Sequence, residues 1–209
     1  MKFSAAVLAL ASAVSASPIA NEITRMLNAR GVISAPTDYA TVAVNAHNLH
    51  RLNHSAPAVS WNADLASYAA TVAATCVFAH DQTVGGGGYG QNIASSGSSA
   101  NLANASPNTF VNKAVTDQWY NGELPFYPVA GYGQSTPDLT NFSKWGHFSQ
   151  VVWVASTSIG CASHYCAAGT IFPTLNSWFT VCNYQATGNV ATQYGKNVLP
   201  PLGMVTVTV

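Results

Sequence analysis

Two histidines pose the first question. His147 lies in the stretch G-H-F-S-Q-V-V-W at 146–153, among apolar residues, and His80 lies far upstream, four residues after Cys76. An imidazole can ligate a divalent ion, move a proton or serve as a hydrogen-bonded polar pair that holds a cleft together. A second set, His47, His50 and His54, falls at i, i+3 and i+7 of one predicted helix and could share a face suited to zinc. Ser55-Ala56-Pro57 follows at once, so His54 should leave the helix, and a core role is expected for the set. The run Gly85-Gly86-Gly87-Gly88-Tyr89-Gly90 would cradle phosphate only in a strand-to-helix setting with Lys-Ser/Thr after it. Neither accompanies it here, so it is read as a loop. There is no G-x-S-x-G, no H-E-x-x-H and no expectation of a free cysteine.

The composition narrows the partners. Lys+Arg and Asp+Glu number seven each, and charged residues make up 7% of the chain. That is well under the roughly 25% usual in globular proteins, and it provides no basic field for nucleic acid. Lys2 followed by the apolar or small run 4–14, with Val14 and Ala16 at −3 and −1, predicts a signal peptide over 1–16 and secretion. That run is short of the ~20 residues of a membrane span. Cys76, Cys161, Cys166 and Cys182 then suggest two disulfides, with three pairings open. N-x-S sequons at Asn53, Asn104 and Asn141 are candidate glycan sites.

The elements that must position these residues follow from periodicity and punctuation. Residues 17–36 read as a mobile leader. Thr37-Asp38 caps a helix running to about Leu52, and Asn62 caps a second, whose stripe Leu65, Tyr68, Ala69, Val72, Ala73 and Cys76 carries Cys76 inward, where it could tether helix to sheet. Residues 77–80 look extended, and 95–108 look like a loop. A third helix starts near Thr109 with Val111, Ala114, Val115, Gln118, Trp119 and Gly122 on one stripe, and ends before Pro125. Residues 126–145 form a long loop rich in aromatics, which argues for a functional rather than disordered segment. A short helix at 146–154 and strands at 158–166 and 177–184 complete the domain, 37–194, and 195–209 read as a loosely packed C-terminal extension.

These pieces resemble the CAP superfamily of cysteine-rich secretory proteins, antigen 5 and plant pathogenesis-related-1 proteins, and its fungal members most. The resemblance rests on H-N-L-H-R at 47–51 with His54, Pro57 and Trp61-Asn62; on Leu65-Ala66 and Cys76-x-x-x-His80; on Gly90-Gln91-Asn92; on Trp119-Tyr120-Asn121; on G-H-F-S-Q-V-V-W; and on Ile159-Gly160-Cys161 with Val181-Cys182-Asn183-Tyr184. It implies an α+β fold, a three-layer α-β-α sandwich with a central antiparallel sheet, long loops and two disulfides, paired Cys76–Cys161 and Cys166–Cys182.

It also implies a cleft of two histidines, His80 and His147, with two glutamates. Here the first glutamate position holds Gln91. The second, three residues after Trp119, holds Gly122; Glu123 is next to it but turned by about 100° on an α-helix, so it would reach the cleft only if the helix unwinds. The set His80, His147, Gln91 and Glu123 is therefore expected to bind Zn or Mg weakly and to be a poor catalytic centre, so the protein is read as a non-enzyme. Fungal members of the family are associated with binding and export of sterols and related lipids. The matching region here carries Phe126, Tyr127, Tyr132 and Phe142, which would either wall a sterol or fatty-acid-like ligand or simply pin the loop to the core. A metal-dependent hydrolase and a host or cell-wall interaction protein are the alternatives.

Overall fold

The computed structural model describes residues 38–209. The expected signal peptide and leader lie outside the described residues. Helix α1 (Tyr39–Asn53) opens at Asp38, whose Oδ1 accepts the Thr41 amide at 2.8 Å. Helix α2 (Ala63–Ala73) opens at Asn62, whose Oδ1 accepts the Leu65 amide at 3.0 Å. Both caps satisfy amides that a first helical turn leaves without carbonyl partners. Between the helices lies β1 (Ser60–Trp61), followed after α2 by β2 (Gly90–Ser98). Helix α3 (Pro107–Lys113) continues directly into a π-helical segment, Ala114–Asn121. Then come α4 (Gly146–Val151), β3 (Ser158–Cys166), β4 (Asn176–Gln185) and α5 (Tyr194–Asn197).

The sheet runs β1-β3-β4-β2. Strands β2, β3 and β4 are antiparallel as expected, whereas the two-residue β1 lies parallel to β3. Alternation along the strands builds two cores. Ile93, Phe179 and Val181 face α2, where they meet Ala69, Val72 and Ala73. Ala94, Cys161, Cys182 and Tyr184 face the other way, toward α1, α3 with its π segment, and α4. The result is the expected three layers. Gly160 marks the closest approach of α2 to the sheet: a Cβ there would lie 2.1 Å from the Ala66 amide nitrogen.

Strand β2 is the element the sequence hides. Its residues GQNIASSGS are small and polar and lack β-branched repetition, yet every one pairs with β4, from Gly90 opposite Tyr184 to Ser98 opposite Asn176. Its outer edge is covered by the π segment: the Trp119 indole donates to the Ile93 carbonyl at 3.2 Å, and Gln118 donates to Ser96 Oγ at 3.2 Å. Residues 77–80, expected to be extended, form no strand.

The disulfide pairing differs from the one the resemblance implied. Cys76 joins Cys166, and Cys161 joins Cys182. Cys161 and Cys166 are five positions apart on one strand, an odd offset, so they face opposite layers. Cys166 is on the α2 side, where the chain leaving α2 delivers Cys76 with Cα atoms 5.6 Å apart. Cys161 sits directly opposite Cys182 in the β3–β4 register. The inward-pointing Cys76 does tether helix to sheet.

The C-terminal residues are not loose. Val198 is fully buried, the Leu202 amide donates to the Asn53 carbonyl at 2.7 Å, the Met204 amide to Asn53 Oδ1 at 3.0 Å, and Asn121 Nδ2 to the Val207 carbonyl at 2.7 Å. Polar groups on the outer side of the helical layer hold this stretch in place. No helix among the described residues is long and apolar enough to cross a membrane.

Peptide mapping of the unreduced protein should return Cys76–Cys166 and Cys161–Cys182 linked fragments and no others. Replacing Cys76 and Cys166 by alanine should lower unfolding stability in urea by about 2–5 kcal/mol, since that bridge closes the longer loop. A Cys76–Cys161 fragment would refute the layer assignment.

Candidate functional site

The π segment decides the chemistry of the cleft. The Gly122 amide donates to the Asp117 carbonyl, five residues back, at 2.9 Å. Such wide turns advance less per residue than an α-helix and recur at functional sites. Four residues of wider helix thus bring the side chain after Trp119 to about where three α-helical residues would. Glu123, expected to be turned away unless the helix unwound, instead reaches the site. Its Oε1 accepts from His147 Nδ1 at 2.6 Å, and its Oε2 accepts the backbone amides of His147 at 2.9 Å and Phe148 at 3.0 Å. One carboxylate therefore caps the first turn of α4 and orients the imidazole, while Trp119 stacks on the ring at 6.1 Å between centroids.

Gln91 plays the matching part on the sheet. Its Oε1 accepts from His80 Nδ1 and from the Asp81 amide, both at 3.1 Å. Its Nε2 donates to the Asp81 carbonyl at 3.1 Å and to Asn183 Oδ1 at 3.0 Å. All four hydrogen-bonding positions of the amide are engaged. Asn92, the next residue, donates to the His147 carbonyl at 3.0 Å and to the Tyr184 hydroxyl at 3.2 Å, which fastens the first turn of α4 to β2.

Both histidines thus hold Nδ1–H on an oxygen and leave Nε2 without a partner among the described residues. They line one cleft of about 510 Å³, together with Gln82, Asn92, Phe142, Ser143, Gln150, Thr187 and Asn189. An anchored Nδ1 is the arrangement found around metal-ligating imidazoles. The donor set is nonetheless short. Gln91 has no lone pair left, Glu123 faces His147 and two amides, and among the described residues no cluster of three His, Cys, Asp or Glu is placed to hold a metal. These residues do not fit a closed four-ligand zinc centre.

This arrangement can be set beside known proteins. A model of the CAP family, described as the cysteine-rich secretory protein family, matches residues 44–184. The chain belongs to this family. It is 42% identical over 173 residues to a probable pathogenesis-related protein of Arthroderma benhamiae, covering 82% of this chain and 52% of that one. It is 28% identical over 166 residues to Protein PRY2 of Saccharomyces cerevisiae, covering 78% of this chain and 42% of the relative. The chain thus spans about half the length of these two curated relatives. Among solved structures, NaASP2 with Zn²⁺ aligns with a TM-score of 0.58 at 24% identity, covering 79% of this chain and 87% of that one. BmVAL-1 aligns with a TM-score of 0.58 at 20% identity, covering 81% and 84%. These two likenesses concern the fold.

The four aromatics of the long CAP loop do not act as one set. Tyr127 is buried, with Tyr132 at 4.8 Å and Trp145 edge-on at 5.0 Å, so this pair anchors the loop. Phe142 lines the cleft, and Phe126 is exposed with the Lys144 amine 5.8 Å from its ring centre. Of the sequons, Asn104 and Asn141 are exposed, whereas Asn53 donates to the Tyr120 hydroxyl at 2.7 Å and also holds Met204.

His47 and His50 on α1, and His54 just past its end, belong to the CAP core. His47 donates from Nδ1 to the Ala43 carbonyl at 2.7 Å and accepts from the Tyr184 hydroxyl at 2.8 Å. His54 donates to the Leu199 carbonyl at 2.6 Å and accepts from Tyr120 at 3.1 Å. His50 stacks on Tyr120 at 3.9 Å and bonds Thr116 at 3.1 Å. Burial pushes His47 down to about 4 and His50 to about 3, and it lowers His54 as well. Sequence reasoning missed Arg51, Asn183, Gln150 and Asn189. Asn183 lies directly opposite Gln91 across the β2–β4 pair, a relation that stays hidden as long as β2 is not recognised.

Two outcomes follow from this geometry. Replacing Glu123 by Gln should cost about 1–3 kcal/mol in urea denaturation, because three charge-assisted bonds are weakened at once; a loss too small to measure would mean that the carboxylate does not hold α4. Stability should also fall in mild acid. The unfolded chain protonates its histidines near their ordinary value of 6.5, while His47 and His50 stay neutral in the native state until about 4 and 3. Their contribution is therefore complete above pH 6.5 and shrinks as pH falls, each by on the order of 1 kcal/mol per pH unit. Denaturation midpoints that stay level from pH 7.5 to pH 5 would contradict the buried neutral state.

Proposed function

We propose that this CAP protein is a secreted, non-catalytic carrier of sterol-like or related apolar lipids, with its contact surface on the loop 124–145. One observation carries the reading: Phe126, Val129, Leu139 and Phe142 are 53%, 83%, 44% and 39% exposed within that single loop, while Tyr127 and Trp145 of the same loop are buried. Apolar side chains presented from an anchored loop can bury ligand or bilayer surface at roughly 25 cal/mol per Å² without a large ordering cost. The predicted signal peptide and the two disulfides support secretion. Lack of catalysis is supported by Gln91, which cannot serve as a general base where a carboxylate was expected. The Asn104 and Asn141 sequons, both exposed, are the proposed glycan sites, and Asn53 is the less accessible third.

A second reading, weak Zn²⁺ or Mg²⁺ binding at the two Nε2 atoms, is supported by the anchored Nδ1 atoms. It is checked by equilibrium dialysis of wild type against His147→Ala; equal uptake by the two proteins removes it.

For the lipid reading, organic extraction of the purified secreted protein followed by mass spectrometry should yield a sterol or acyl lipid, and titration with labelled cholesterol should saturate. The Phe126→Ser variant should bind roughly ten-fold more weakly, matching about 1–2 kcal/mol of lost apolar burial. Absence of saturable binding to sterols and fatty acids, with both disulfides intact, would overturn the proposal.

A further inference from the structure

The histidine cleft differs in chemistry from the loop beside it. Its walls carry amides, hydroxyls and imidazoles, and among its lining residues there is no Asp, Glu, Lys or Arg. Glu123 stands behind His147, with its carboxylate oxygens engaged by three N–H donors. Asn92, Gln91 and Gln150 are buried at the floor, whereas His80, Gln82, Ser143 and Thr187 are exposed at the rim.

Most of the groups still free are acceptors. The Nε2 atoms of His80 and His147 are acceptors once Nδ1 carries the proton. Gln82 donates Nε2 to the Tyr89 carbonyl at 2.6 Å and keeps its carbonyl oxygen available. Asn92 uses its NH₂ on His147 and Tyr184, and no described residue donates to its Oδ1. Ser143 and Thr187 add hydroxyls that can donate or accept. The Phe142 ring supplies a flat apolar face at the border with the loop.

An anion would find no cation here, and a cation no free carboxylate. A wholly apolar ligand would leave Asn92 Oδ1 and the Nε2 atoms of both imidazoles without partners. The ligand that satisfies the site is neutral, rich in hydroxyl donors, and has a C–H face to lie on Phe142. Sugars with equatorial hydroxyls combine these properties. We propose that the cleft between His80 and His147 binds a neutral oligosaccharide of β-linked glucose or N-acetylglucosamine type. Its volume, about 510 Å³, falls in the range of small-molecule sites. The proposal does not depend on the lipid reading, since apart from Phe142 and Ser143 the cleft is lined by residues outside the loop 124–145.

The test is calorimetric titration of the full secreted chain with hexaoses of β-1,3-glucan, cellulose and chitin. At least one should bind saturably, with an affinity insensitive to added salt because no net charge is involved, and insensitive to EDTA. Gln82→Ala and Thr187→Ala, both at exposed positions, should each weaken binding roughly three- to ten-fold, the loss of one hydrogen bond. Phe126→Ser, which impairs only the lipid reading, should leave it unchanged. Circular dichroism melting curves of the variants establish that they are folded. Absence of binding to all three hexaoses, binding that survives the Gln82→Ala/Thr187→Ala double substitution, or affinity that collapses in salt or EDTA would overturn the proposal.

Discussion

A six-residue helix in the middle of the chain has to be held from outside, and two charged side chains do so. Helix α4 is far below the length at which a helix is stable alone. At its start, Glu123 takes two amides that the first turn leaves open. At its end, the fully buried guanidinium of Arg51 donates to the carbonyls of Val151 at 2.9 Å and Trp153 at 2.8 Å, and further to Pro57 and Ser156, each at 2.8 Å. An anion at the N-terminus and a cation at the C-terminus both match the helix dipole. A buried cation is costly unless its donors are met, and here four carbonyls meet them. Lysine could not replace it, since a point charge lacks the planar fork that reaches carbonyls on several sides. His147 is positioned because α4 is, and α4 is positioned because these two clamps act together.

The clamps also join the layers. Arg51 belongs to α1, Glu123 follows the π segment, and Asn92 on β2 bonds the first residue after the α4 start. The π segment has two consequences from one deformation. It advances Glu123 into the cleft, and it lays Trp119 and Gln118 along the free edge of β2. An uncovered edge of small polar residues would invite pairing with another chain. The same local widening that orients the imidazole therefore closes the sheet.

What could be read from the chain alone follows the range of the interactions. Helices α1 and α2 were legible through apolar spacing and the Asp38 and Asn62 caps, all within a few residues. Strand β3 was legible to its ends, because its alternation contrasts with the flanking turns. Strand β2 was not, because residues such as Ser95, Ser96 and Gly97 have no strand preference of their own and are extended only through β4. The place of Glu123 was hidden for a related reason: nothing in AVTDQWYN signals five-residue hydrogen bonds, which depend on what the helix packs against. The disulfide pairing was accessible in principle, since the odd spacing of Cys161 and Cys166 places them in different layers once β3 is recognised.

The substitution of an amide for a carboxylate at position 91 is built into its neighbours. Asn183, opposite on β4, donates its own NH₂ to the Leu65 carbonyl at 3.0 Å, and so turns its oxygen toward Gln91. The Asp81 carbonyl presents a second oxygen to the same point. A carboxylate at 91 would face two acceptors with no proton between them, in a buried place where such an unpaired contact costs about 1–3 kcal/mol or more. The amide answers both, and its oxygen still fixes the tautomer of His80. The neutrality of the cleft is thus set by the sheet register and by α2, two shells behind the surface that a ligand would touch. That is why the pair of imidazoles here presents two acceptors in a cleft whose lining carries no charged side chain.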